Sequence, residues 1–120
     1  MIATYPAITG PDGHLAHRRH FVGHSMMGLP GFWPRGGDLN GKPELALYQD
    51  QAAMYGGDGV LYTVVSYETP VAWITWTDDV YVLERRFSAT TSRHQNYCRV
   101  WLPIHMARLR RVRTDLPDLF

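Results

Sequence analysis

His94 and Cys98 stand four residues apart, the spacing that puts two side chains on one side of a helix. An imidazole beside a thiol could generate a nucleophile, but the pair also needs an activated thiolate and an oxyanion site, and no pattern here supplies them. Cysteine is among the most buried residue types, so a packed core residue is the favoured reading of Cys98. A second candidate set is His14, His17, His20 and His24, four imidazoles close enough in sequence to ligate zinc. Gly13 and Gly23 weaken a helix through them, and Arg18 and Arg19 would repel a cation, so surface and partly packed histidines are favoured and no metal is assigned. The acids Glu68, Asp78, Asp79 and Glu84 do not form a catalytic carboxylate pair, and Asp78-Asp79 suits a turn. No phosphate loop or dinucleotide fingerprint is present, so no cofactor is implied and no catalytic residue is assigned.

The strongest charge signal lies elsewhere. Residues 85–113 hold eight arginines and no acid. The chain's formal charge is +1, so removing that +8 leaves −7 for the rest. A division of this kind suggests a surface that meets something negative. Guanidinium forks grip phosphate oxygens, which makes Arg86, Arg93, Arg99, Arg108, Arg110, Arg111 and Arg113 candidates for contact with nucleic acid. Tyr97 and Trp101 could add stacking if they are exposed. The competing reading is a solvated helix face, with Arg85 and Arg86 paired to Glu68 or Glu84.

These residues must be positioned by a small α+β domain. Residues 1–43 are rich in Gly and Pro and show no clear period, so the first third is expected to be loop-rich and to lie over one edge or face of a sheet. Pro43 and Glu44 suit the start of a short second helix over 44–55, with Leu45, Leu47, Tyr48, Ala52 and Tyr55 on its apolar side. Residues 60–67, 71–77 and 80–87 read as strands, and their short connections imply a three-stranded antiparallel meander. A C-terminal helix should follow, with Thr90, Thr91 or Ser92 as its N-cap and Ser92 with Gln95 at capping-box spacing. Pro103 should kink it near Leu102. Tyr97, Trp101, Ile104 and Leu109 would then pack on the sheet while Arg99, Arg110 and Arg113 face water.

At 120 residues the chain fits one domain with one core. Its lone cysteine excludes an internal disulfide and fits a reducing cytosol. The first residues lack the basic start and apolar stretch of a secretory signal, and no apolar run reaches the roughly 18–20 residues a bilayer crossing takes. Eleven arginines against the single Lys42 point to GC-rich coding.

Three stretches carry a resemblance. Phe21-Val-Gly-His-Ser-Met-Met-Gly28 resembles a Phe-x-Gly-Asn-Ser-Met-x-Gly opening, and Tyr62-Thr-Val-Val-Ser-Tyr-Glu-Thr-Pro-Val-Ala-Trp73 resembles a Tyr-x-Val-x-Ser-Tyr-x-Thr-x-Ile-Ala strand pair. Phe87-Ser-Ala-Thr-Thr-Ser-Arg-His-Gln95 resembles a Tyr-Ser-x-Thr-Thr-Ser-Arg/Lys-His-Gln segment. Together they are similar to a family of small tailed-phage proteins of unknown function, including those of actinobacterial hosts. The resemblance implies a phage product made in the cytoplasm of an infected bacterium. His24 departs from the pattern, which has Asn there, and this makes a metal role for His24 less credible. The matched polar residues Ser25, Ser66, Tyr67, Thr69, Thr90, Thr91, Ser92 and His94 could line one pocket or serve as caps and buried hydrogen bonds.

The expectation is therefore a non-enzymatic binding protein with nucleic acid as the first partner. The alternatives are a host-protein effector anchored by Phe32, Trp33 or Trp76, and a small-ligand binder or enzyme using Ser25, Ser66, Tyr67, Thr69 and His94. Oligomeric state is not encoded in any of these patterns.

Overall fold

Period-two alternation sorts the strand residues onto two faces of one sheet, and each face receives its own helix. The computed structural model describes residues 2–33, 46–83 and 88–104. Among them, five antiparallel strands neighbour one another in chain order: β1 (Phe21–Val22), β2 (Met26–Pro30), β3 (Val60–Ser66), β4 (Thr69–Thr75) and β5 (Val80–Val82). The helices are α1 (Tyr5–Ile8), α2 (Ala46–Gly57) and α3 (Ala89–Trp101). The α+β class and antiparallel meander are as expected, but the sheet has five strands rather than three. The two extra strands come from the N-terminal third, where Gly23, Gly28 and Pro30 break the strand pattern. Gly28 is needed there because a side chain would run into Phe21 and the Tyr62 hydroxyl.

One face carries Met26, Tyr62, Val64, Ala72, Ile74, Val80 and Val82, packed with Ile8, Leu15, Phe21, and Cys98 and Leu102 at the C-terminal helix. The opposite face carries Val65, Trp73 and Leu83, packed with Trp33, Tyr48 and Ala52. Because both faces are covered, β3 and β4 are almost wholly buried, unlike a half-solvated antiparallel sheet.

Helix α2 has Tyr48 and Ala52 buried and Leu47 partly so, but Tyr55 is 58% exposed and does not belong to the apolar face. Helical geometry fails at Met54, and Tyr55 and Gly56 adopt the left-handed conformation (φ 55° and 71°), which turns the Tyr55 ring outward. Helix α3 begins earlier than its hydroxyl run suggested. Ser88 is the N-cap, its Oγ accepting from the Thr91 N–H (3.2 Å), so Thr90, Thr91 and Ser92 lie inside the first turn. Gln95 forms no capping box, because its amide donates to the Leu83 carbonyl at the end of β5. The helix stops at Trp101, with Leu102 as C-cap before Pro103. Tyr97 and Trp101 pack on the core, whereas Ile104 is exposed. Leu45, Arg85, Arg86, Leu109 and the C-terminal arginines fall outside the described residues.

Candidate functional site

Alternation along β3 puts Ser66 on the same face as Tyr62 and Val64, beneath α3, whose buried stripe is Thr91, His94, Gln95 and Cys98. His94 is fully enclosed and is the hub of a polar cluster. Its Nδ1 lies 2.7 Å from Ser66 Oγ, which lies 3.0 Å from Thr91 Oγ1. Ser88 extends the chain by donating to Thr91 Oγ1 (3.2 Å). On the other side, Nε2 faces Tyr5 OH at 3.1 Å and Ser25 Oγ at 3.4 Å. Two proton arrangements satisfy this chain. Either Ser66 donates to Nδ1 and Nε2–H donates to the outer hydroxyls, or Nδ1–H donates to Ser66 and Nε2 accepts. Burial pushes His94 below the ordinary imidazole range, and the neighbouring Arg93 guanidinium adds to the effect.

Of the expected polar pocket, Ser25, Ser66 and His94 do come together. Tyr67 does not join them. It is the first residue of the turn between β3 and β4, with φ 56°, and its ring is 59% exposed. Thr69 pairs with Ser66 across the hairpin without a side-chain bond to His94. A cleft of about 160 Å³ bordered by Ser25, His24, Met26, Met27 and Tyr67 adjoins the cluster but is not lined by His94. Ser25 with His94 thus has the outline of a nucleophile and base, and Ser25 is the member of the pair that borders the cleft. Tyr5 was not foreseen as a partner, because a residue 89 positions from His94 leaves no spacing signal.

Cys98 is wholly buried, and burial pushes its thiol far up, only partly offset by Arg99, so it is a core residue. The four N-terminal histidines disperse. His14 stacks on Phe21 (5.6 Å between ring centres), His17 lies 3.8 Å from Asp12, and His20 and His24 are exposed. No three His, Cys, Asp or Glu among the described residues are grouped to hold a metal. Asp78, in the turn after β4, holds Arg18 at 2.9 Å. Trp33 is buried and cannot be an exposed anchor, because its backbone is tied to Tyr48 and its ring fills the α2 face. Phe32 and Trp76 are exposed, and Trp76 meets Tyr55 edge-on at 4.6 Å. Arg93 is exposed and Arg99 half-buried on α3. Arg86, Arg108, Arg110, Arg111 and Arg113 lie outside the described residues.

The arrangement defines a sheet clasped between two helices, with its hydroxyl–imidazole set facing inward. Residues 42–99 match a family described as a family of unknown function (DUF8033). That span takes in the Tyr62–Trp73 and Phe87–Gln95 stretches but not the Phe21–Gly28 one. No curated protein and no solved structure matches the chain. Among the described residues, no helix is long and apolar enough to cross a membrane.

Proposed function

We propose that this is a small phage accessory protein that works by binding in the cytoplasm of an infected bacterium, with nucleic acid meeting the arginine-rich stretch 85–113. The observation that carries the reading is the one-signed charge of that stretch, joined to the two-sided character of α3. One side of the helix is spent on Thr91, His94, Gln95 and Cys98, while Arg93, Asn96 and Val100 are open to solvent. Fluorescently labelled DNA and RNA should bind at low salt, with affinity falling steeply as salt rises. Arg93→Ala should reduce the salt slope by about 1 if Arg93 meets a phosphate. Absence of binding at low salt would overturn the reading.

A second reading is favoured by one specific observation. Tyr55 and Trp76 expose 58% and 50% of their surface while touching each other, a ring pair suited to anchoring a protein partner. A pull-down from nuclease-treated host lysate separates the two, because a protein partner survives nuclease and is lost with Trp76→Ala.

A further inference from the structure

The N-terminal segment builds a second concavity that neither binding reading uses. The Ala7 carbonyl accepts the His14 N–H (3.0 Å) and the Ile8 carbonyl accepts the Leu15 N–H (3.1 Å), folding residues 10–18 back onto α1. Gly13 permits this approach, since a Cβ there would collide with the carbonyls of Ile8 and Thr9. Ala3 donates to the Val22 carbonyl (2.8 Å), which fixes the start of the chain against β1. Between these parts lies a cleft of about 420 Å³, within the roughly 300–1,000 Å³ typical of small-molecule sites.

Its lining combines two chemistries. Ile2, Ala3, Ala7, Phe21 and Val22 are apolar, and Ile2 and Val22 leave 57% and 47% of their surface open. His14 and His20 contribute imidazoles. The His14 ring is fixed nearly parallel to Phe21 (12° between planes), and its Nδ1 has no hydrogen-bond partner among the described residues. The lining holds these two imidazoles and no acid, which suits a ligand that accepts hydrogen bonds. Residues 14–24 contain Arg18, Arg19 and four histidines without an acid.

We propose that this cleft binds a small carboxylate with an apolar, ring-sized body. The body lies against Ile2, Phe21 and Val22, and the carboxylate accepts hydrogen bonds at the imidazole wall. This goes beyond the macromolecule-binding reading and stands or falls separately from it, since it involves none of the residues 85–113.

The test is an NMR titration of the isotope-labelled full chain with benzoate, benzyl alcohol and benzamidinium as probes. Benzoate should give saturable shifts confined to the amides of residues 2–7 and 14–22, with a dissociation constant on the order of 1 mM. Benzyl alcohol should bind roughly tenfold more weakly and benzamidinium more weakly still. Val22→Asp, which places a carboxylate in the cleft, should weaken benzoate by roughly tenfold or more, and the exposed His20→Gln should weaken it without disturbing the fold. No localised shift up to about 10 mM benzoate, equal binding of benzamidinium, or unchanged benzoate affinity in His20→Gln would each overturn the proposal.

Discussion

The two faces of the sheet each bury a polar hub, and the hubs differ in what protons can do to them. Beneath α3, His94 gathers Tyr5 and Ser25 from the N-terminal part, Ser66 from β3 and, through Ser66, Thr91. Beneath α2, the Tyr48 hydroxyl accepts the Trp33 N–H (2.6 Å) and meets Thr63 Oγ1 (3.0 Å), which donates to the Gly31 carbonyl (2.8 Å). Both tie irregular chain from the first 33 residues to a strand and a helix. That chain bonds much of its backbone to itself through α1, turns and the β1–β2 pair, and buried side-chain bonds fasten it to the rest of the fold. The polar residues that in sequence could line a pocket or form buried hydrogen bonds are, at Ser66, Thr91 and His94, buried and bonded to one another.

Removing each hub would measure the comparison directly. His94→Ala should cost about 3–5 kcal/mol, because it opens a cavity and takes from Ser66, Tyr5 and Ser25 the imidazole they share. Tyr48→Phe keeps the ring against Trp73 and deletes only the oxygen, removing the bonds to the Trp33 N–H and Thr63 Oγ1, so about 1–3 kcal/mol is expected. Urea unfolding of the two variants beside the parent chain checks both values. If His94→Ala proved the milder change, the clasp interpretation of that face would fail.

Acid should separate the faces further. His94 has a lowered pKa in the folded chain, so between the ordinary imidazole value of about 6.5 and that lowered value the unfolded state binds a proton that the folded state does not. Its contribution is fully present above pH of about 6.5 and drains away as the pH falls through that window. Tyr48 is displaced in the opposite sense, since burial raises its hydroxyl pKa despite the bonds to Thr63 and Trp33, so the α2 hub keeps its proton throughout. The stability of Tyr48→Phe should accordingly retain the acid loss of the parent, while His94→Gln should flatten it. Parallel pH profiles for the parent chain and His94→Gln would refute the assignment to His94.

What could be read in advance divides along the same lines. The strands β3 and β4 were legible because β-branched and aromatic residues crowd there, and Val80 and Val82 alternate with Tyr81 as a strand should. β1 and β2 were not, since β1 spans two residues and β2 contains Gly28 and ends on Pro30, residues that mark loops when no partner strand is in view. Ser66 and His94 were recognisable as members of one polar set through their motifs. Tyr5 was not, because only the folding of α1 against α3 brings it to Nε2, and Trp33 looked like a surface anchor because its burial depends on a bond to Tyr48. The helix start was misplaced by a few residues because three consecutive hydroxyls offered equivalent caps, and tertiary contacts chose among them. Thr91 was drawn to Ser66 and Gln95 to Leu83, which left Ser88 to begin the helix.

That choice supplies the smallest and most local test. Ser88 Oγ accepts the Thr91 N–H and donates to Thr91 Oγ1, so it serves both as cap and as the outermost hydroxyl of the His94 chain. Ser88→Ala should cost about 1 kcal/mol, the usual value of a lost cap. Ser88→Asp keeps an oxygen for the Thr91 N–H and adds a charge favourable to the helix dipole, but it cannot donate to Thr91. If the cap alone matters, Ser88→Asp should equal or exceed the parent in stability; if the proton order reaching His94 matters too, it should fall between the parent and Ser88→Ala. Unfolding curves of the three chains at neutral pH distinguish the cases, and equality of Ser88→Ala with the parent would remove Ser88 from the clasp altogether.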